Sequence, residues 1–315
     1  MTKTALVLGA SGGIGGEMVR TLITHGWVVR AFNRTRSGAD EAGALWIKGD
    51  ALNRADVRKA AEGADVIIHA VNPPGYRDWE KLVLPMLNST IEAAKAVGAT
   101  IVLPGTVYNC GPDVLPDLSE DASQNPVTKK GKIRVAMEAQ LQAFAREGGR
   151  VIILRCGDFF GPNAGNNWFS QVVTFAKPVK QIIRIAEKGL GHQWAYLPDV
   201  AETMVQLLER QDRLPAFARY HFKGHWDASG DEMTAAIRRV TGQSNLKVKP
   251  FAWKLVKYLS PFITTFRELM EMRYLWKMAV YMDNARLVET LGEEPHTSWD
   301  EAIRTTLIAQ GCLKA

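Results

Sequence analysis

Along the first half of the chain, short apolar runs alternate with amphipathic stretches. Residues 5–8 are apolar and read as a buried strand that breaks at Gly9. Ile14, Met18, Leu22 and Ile23 then recur on one face, which predicts a helix over residues 14–25 that Gly26 ends. Residues 28–32 predict a second strand. Residues 44–48 predict a third, closed by Gly49-Asp50-Ala51-Leu52. Residues 65–71 are a continuous apolar run, typical of a parallel strand covered on both faces. Asn72-Pro73-Pro74-Gly75 breaks it. A long helix is expected over residues 78–97 and a strand over 100–103. The segment from Pro104 to Pro126 carries acids and turn formers and reads as an exposed loop. A helix over residues 130–146 presents Ile133, Met137, Leu141 and Phe144 on one face, and a strand over 151–154 follows. Strand and helix in alternation predict an α/β fold with a doubly wound parallel sheet.

Beyond residue 155 the pattern is less regular. Residues 190–199 read as a return to the sheet, 200–209 and 231–240 as helices, and 219–223 as a strand. Two lobes are expected, residues 1–155 and residues 156–315, with some segments of the second returning to the sheet of the first. Residues 251–282 mix aromatic and aliphatic side chains with Lys and Arg, and Pro261 interrupts them. They read as a helix pair covering a pocket or forming a homodimer contact, in preference to a membrane-surface helix.

The chemistry begins at the end of the first strand. Gly9, Gly12 and Gly15 stand three apart between a strand and a helix. Such a turn needs one glycine to leave the strand, one to let a pyrophosphate reach the backbone and one to pack helix on sheet. The helix N-terminus then offers free N–H groups and a positive dipole end. The expected cofactor contacts are Gly9, Ser11, Gly12, Gly13, Ile14, Gly15, Ala51, Ala70 and Val71. Asp50 is placed to accept from an adenine amino group, or to cap the next helix.

The end of the second strand selects the cofactor. An acid there accepts from a ribose 2′-OH and repels a 2′-phosphate. The chain has Asn33-Arg34-Thr35-Arg36 instead. This favours NADP(H) over NAD, with Arg34 on the 2′-phosphate and Asn33 among the cofactor contacts.

Composition adds bounds. The 315 residues are 46% hydrophobic and 23% charged, ordinary globular usage. A net charge of +6 suits an anionic ligand, but the basic residues are scattered, so no nucleic-acid partner is expected. No apolar run is long enough for a membrane span. Three distant cysteines, Cys110, Cys156 and Cys312, argue for a reducing cytoplasm and against a disulfide or metal framework.

Together these landmarks resemble the short-chain dehydrogenase/reductase superfamily, in its extended, epimerase/dehydratase-like branch. The resemblance rests on Gly9-x-x-Gly12-x-x-Gly15, Asp50-x-Leu52, residues 65–70 and Val107-Tyr108. It also uses Arg155 with Phe160-Gly161-Pro162, and Tyr196-Leu197-Pro198-Asp199-Val200-Ala201. It implies a Rossmann-type domain with a smaller carboxyl-terminal substrate lobe. The activity implied is an oxidoreductase or epimerase acting on a carbonyl or alcohol of a small polar or sugar-like molecule.

The resemblance also implies a catalytic tyrosine, a lysine four residues later and a Ser or Thr hydroxyl. Here Lys132 takes the lysine place, but Thr128 stands where the tyrosine belongs. Pro104 falls at the hydroxyl position, with Thr106 two residues on. An aliphatic hydroxyl is too weak an acid to replace a phenol. Tyr108 is therefore the candidate proton donor, with Lys132 on the ribose and Thr106 as the hydroxyl. Trp168, Trp194, Tyr196 and Trp226 are candidates to close the pocket. The alternative is a catalytically silent NAD(P)-binding sensor.

Overall fold

The apolar run at residues 5–8 forms the strand β1 (Thr4–Leu8), and the glycine-rich turn opens α1 (Gly13–Thr24). In chain order there follow β2 (Val28–Asn33), β3 (Gly38–Ala39), β4 (Leu45–Lys48), α2 (Arg54–Ala61), β5 (Val66–His69), α3 (Trp79–Val97) and β6 (Thr100–Thr106). Next come β7 (Asp117–Leu118), α4 (Lys129–Arg146), β8 (Val151–Cys156), β9 (Asp158–Phe160), α5 (Phe169–Val172), β10 (Gln181–Arg184) and β11 (His192–Tyr196). The remainder is α6 (Leu197–Glu209), β12 (Phe217–His221), β13 (His225–Asp227), α7 (Glu232–Thr241), β14 (Lys247–Pro250) and α8 (Trp253–Leu259). It ends with α9 (Thr264–Glu271), β15 (Tyr281–Met282), α10 (Ala285–Leu291) and α11 (Trp299–Ala309). This computed structural model describes residues 2–73, 78–165 and 167–314, so Pro74 and Gly75 of the expected turn lie outside the described residues.

The chain divides into two units. The first comprises residues 1–109, 129–155 and 201–220. The second comprises residues 110–128, 156–200 and 221–315.

The sheet of the first unit has eight strands in the order β12-β8-β6-β5-β1-β2-β4-β3. β1 pairs in parallel with both β2 and β5, and β5–β6 and β2–β4 are also parallel. The chain thus runs outward in one direction from β1 through β2 and β4, and in the other through β5 and β6. The β1–β5 boundary is the switch point at which open α/β sheets bind ligands. Every residue of β5 and β8 is buried, as expected of strands covered on both faces. The core includes Leu6, Leu8, Ile67, Ile101 and Ile153 from strands, packed against Val83, Leu87, Met137 and Leu141 from α3 and α4.

Three local expectations need correction. The strand over 100–103 continues through Pro104-Gly105 to Thr106, and Gly105 lies so close to Arg155 that a side chain has no room there. β3 is an unexpected two-residue strand, antiparallel to β4. Residues 192–196 do not return to the large sheet: β11 pairs with β9 and β13 in a separate three-stranded sheet of the second unit.

That unit has an aromatic core. Phe160 lies within 5.9 Å of the ring centroids of Phe169, Tyr196 and Trp299. Trp168, Trp194 and Tyr196, read from sequence as pocket walls, are all buried in this core. Their large apolar area is used for packing. Pro261 separates α8 from α9, so residues 251–282 contain the expected helix pair.

Candidate functional site

The site is built on the turn after β1. Gly9 adopts φ +81°, and a Cβ there would meet the carbonyl oxygen of Ala70 at 2.6 Å. Only glycine combines that conformation with so close an approach of β1 to the end of β5. Gly9 O accepts from the amide of Gly12 at 2.9 Å. A Cβ on Gly15 would lie 2.2 Å from Gly9 O, so α1 also packs on the turn without a side chain between. Gly12 is the residue that caps α1, and it supplies no side-chain hydrogen bond. The first turn of α1 carries no acid. The open amides and positive dipole end of α1 are therefore not neutralised from within the helix.

Beside this turn lies a cleft of about 290 Å³, lined from the carboxyl edge of the sheet. Of the residues expected to hold the cofactor, Gly9, Ser11, Gly12, Asn33, Arg34, Asp50, Ala51, Ala70 and Val71 line it. Gly13, Ile14 and Gly15 are not among its lining residues; all three belong to α1, where Gly15 is a buried packing position. Asn72 and Pro73, from the break after the fourth expected strand, also line it, as do Phe32, Gly49, Leu52, Leu82 and Met86, which were not among the expected contacts. Phe32 closes the apolar run of β2, and Leu82 and Met86 stand four apart on α3. That periodicity is visible in the sequence but cannot say which apolar face meets a ligand.

The end of β2 is arranged by its own side chains. Asn33 Oδ1 accepts from the amides of Thr35 (3.1 Å) and Arg36 (2.7 Å), folding a tight turn. The Arg36 guanidinium stacks on the Trp46 ring at 4.1 Å. Asp40, the nearest acid downstream, accepts from Trp46 Nε1 (2.6 Å) and Ala44 N (2.9 Å). These bonds hold its carboxyl below the usual range. Arg34 is the charged group of this turn that faces the cleft. Across from it, Asp50 Oδ1 accepts from Leu52 N at 3.0 Å, and Asn53 caps α2 by accepting from Ala55 and Asp56. Asp50 is thus not the cap of α2.

The expected catalytic lysine lies on α4, whose residues are not among those lining the cleft. Lys130, Arg134 and Glu138 recur at four-residue spacing and are all buried. Lys132, expected on the ribose, is exposed, so its side chain lies on the other side of the helix. The buried cations of this helix are instead Lys130 and Arg134, two residues away from Thr128 and Lys132 in register. The sequence held that signal. Lys130 lies seven residues before Met137 on the apolar face, whereas Lys132 lies nine before Leu141, half a turn away.

The Arg134 guanidinium stacks over Trp79 at 5.2 Å and comes within 3.4 Å of Asn72 Oδ1 at the cleft wall. α4 packs on the short 3₁₀ turn Val107–Asn109, which carries Tyr108. Tyr108 is buried, and its amide donates to Thr106 Oγ1 at 3.3 Å. Thr128, in the tyrosine place of the expected register, is buried. His69 is buried beside Thr90, with Nδ1 2.8 Å from Thr90 Oγ1. Burial, and then the charge of Arg134, lower its pKa to about 3.

The sequence profile of the NAD dependent epimerase/dehydratase family matches residues 5–221, more than half of the chain. The chain belongs to this family. Its relatives include a putative dihydroflavonol 4-reductase from Synechocystis, 23% identical over 96% of this chain and 93% of the relative. Sterol demethylase protein B from Methylococcus capsulatus is 35% identical, but the match spans a quarter of each protein. Among solved structures, UDP-glucose 4-epimerase from Brucella ovis in complex with NAD superposes with a TM-score of 0.78 at 18% identity, covering 98% of this chain and 99% of that one. A putative epimerase from Burkholderia cenocepacia also gives 0.78 at 18% identity, with 99% of each chain covered. The epimerase/dehydratase family membership makes the chain an NAD(P)-dependent enzyme of the extended short-chain dehydrogenase/reductase branch.

Proposed function

We propose that the chain is an NADP(H)-dependent oxidoreductase or epimerase-like enzyme acting on a carbonyl or alcohol group of a small polar or sugar-like substrate. The observation that carries the cofactor reading is the turn after β2. It offers Arg34 to the cleft, and its neighbouring acid, Asp40, is engaged with Trp46 and Ala44. A dinucleotide fits the residues present: the side-chain-free turn at Gly9 and Gly12 leaves room that a Cβ would fill, and the amides of α1 have no internal cap. Gly9, Ser11 and Gly12 would hold the pyrophosphate, Arg34 the 2′-phosphate and Asp50 the adenine amino group.

The nicotinamide, when bound, supplies the hydride donor or acceptor. Tyr108 holds and moves the proton at its phenol oxygen. A free phenol titrates near pH ~10 and is a poor base at neutrality. Nearby cations favour its ionised form. Lys130 and Arg134 lie on the helix that packs against the turn of Tyr108. Thr106 Oγ1 is fixed by the Tyr108 amide and offers a hydroxyl to the substrate oxygen.

The test of the cofactor reading is the ratio of Kd for NAD+ and NADP+, in the wild type and in Arg34→Ala. The reading expects tighter NADP+ binding, weakened about 10- to 100-fold by the substitution, with NAD+ binding little changed. Equal affinities in the wild type would overturn it.

A further inference from the structure

Asp199, His225 and His296 are far apart in sequence, yet each offers a ligand atom within 4.8 Å of the other two. All three belong to the second unit. Asp199 lies in the first turn of α6, His225 opens β13, and His296 lies between α10 and α11. One residue organises them. The Thr297 amide donates to Asp199 Oδ2 at 2.8 Å, and its hydroxyl donates to Oδ1 at 2.6 Å. The Thr297 carbonyl accepts from His225 Nε2 at 2.8 Å.

An imidazole that gives one N–H to a backbone carbonyl keeps its lone pair on the other nitrogen. In His225 that other nitrogen, Nδ1, is buried and has no hydrogen-bond partner. Donation of one ring N–H to a carbonyl is the usual way a metal-binding imidazole is oriented. The His225 ring is also locked by packing: Trp299 meets it edge-on at 4.5 Å and Phe160 at 5.4 Å. The His296 ring lies 4.5 Å from it, centroid to centroid, and is exposed. The cluster therefore has one rigid buried donor, one carboxylate held in place and one donor reachable from solvent.

We propose that Asp199, His225 and His296 form a binding site for a divalent transition-metal ion of the zinc class. Two imidazoles and one carboxylate suit zinc, nickel or copper rather than calcium or magnesium, which take oxygen ligands. Three protein ligands leave a fourth position for water. The ion joins the segment between α10 and α11 to the start of α6 and to β13, so its first effect is on the stability of the second unit.

The test uses the full chain, stripped with a chelator and titrated with cobalt(II). The expected result is the visible absorption of tetrahedral cobalt, saturating at one ion per chain and displaced by zinc. His296→Ala, a change at an exposed residue, is expected to weaken binding by about tenfold or more. His225→Gln is expected to remove it, and His25→Ala, in the other unit, to leave it intact. Zinc should raise the Tm of the wild type and not that of His296→Ala. No cobalt band in the wild type, or a band that His296→Ala leaves unchanged, would overturn the proposal.

Discussion

Arg155 donates two parallel hydrogen bonds to Glu138, Nε to Oε1 at 2.9 Å and Nη2 to Oε2 at 2.7 Å, with both side chains buried. The pair ties β8 to α4, and Arg219 adds a longer contact to Glu138 at 3.4 Å. Glu138 shares its face of α4 with Lys130 and Arg134, so the same pair fixes the rotation of the helix that carries both cations. Removing one partner leaves a buried charge uncompensated. Glu138→Ala should destabilise the fold by about 3–5 kcal/mol. Replacing both partners by apolar residues, Glu138→Met with Arg155→Met, should recover much of that loss. Urea denaturation of the single and double variants checks both outcomes.

Lys132 and Lys130 are separated by two positions and by opposite faces of α4. Lys132→Ala should therefore leave cofactor affinity and turnover unchanged. Lys130→Met should lower turnover of a carbonyl substrate found by screening for NADPH oxidation. Tyr108→Phe should lower it further, by about 10²- to 10⁴-fold, with cofactor Kd unchanged. Steady-state kinetics and nucleotide titration on the three variants separate these effects. Full turnover in Tyr108→Phe would remove the phenol from the reaction.

His69 gives the fold a pH dependence. Burial, and then Arg134, lower its pKa from 6.5 to about 3. Between those values the unfolded chain takes up a proton that the folded chain refuses, so stability falls as the pH drops. One such group contributes a slope of about 1.4 kcal/mol per pH unit. The stability of His69→Gln should be lower at pH 7, because Thr90 loses its imidazole partner. It should also fall less steeply on acidification. Denaturant midpoints measured from pH 7 down to pH 4 test the sign: an unchanged slope contradicts the assignment.

Gly15 has a role that a single methyl group exposes. A Cβ there would sit 2.2 Å from the backbone oxygen of Gly9. Gly15→Ala should push α1 off the turn, cost about 1–3 kcal/mol in stability and weaken dinucleotide binding. Thermal unfolding with and without NADP+ reads both, because bound nucleotide should raise Tm less in the variant than in the wild type.

Much of this organisation is legible in the amino-acid sequence, for physical reasons that also define its limits. Apolar runs at β1, β5 and β8 are continuous because both faces are covered, and the glycine spacing marks a turn that a Cβ would obstruct. Asn33 and Arg34 could be placed at the cleft because the carboxyl ends of the strands are where such sheets bind ligands. Other features depend on contacts distant in sequence. β6 extends through Pro104 and Gly105, where Gly105 lies against Arg155 of β8, a contact that no local pattern reveals. Trp168, Trp194 and Tyr196 are equally plausible as core or as pocket wall until their neighbours are known. On α4 the tyrosine–lysine spacing of the resemblance points to Lys132, whereas the helical period places Lys132 opposite Leu141, where it is exposed. Asp199, His225 and His296 have no ligand spacing along the chain, since Thr297 gathers them only after folding.

The most direct test of the proposed reaction centre is the structure of the enzyme with NADP+ bound, read at the Tyr108 hydroxyl and nicotinamide C4. The account predicts a separation of roughly 4–5 Å, room for one substrate atom, with the 2′-phosphate on Arg34 and Lys132 remote from the ribose. A nicotinamide packed against protein with no phenol facing it, or a ribose held by Lys132, would contradict it.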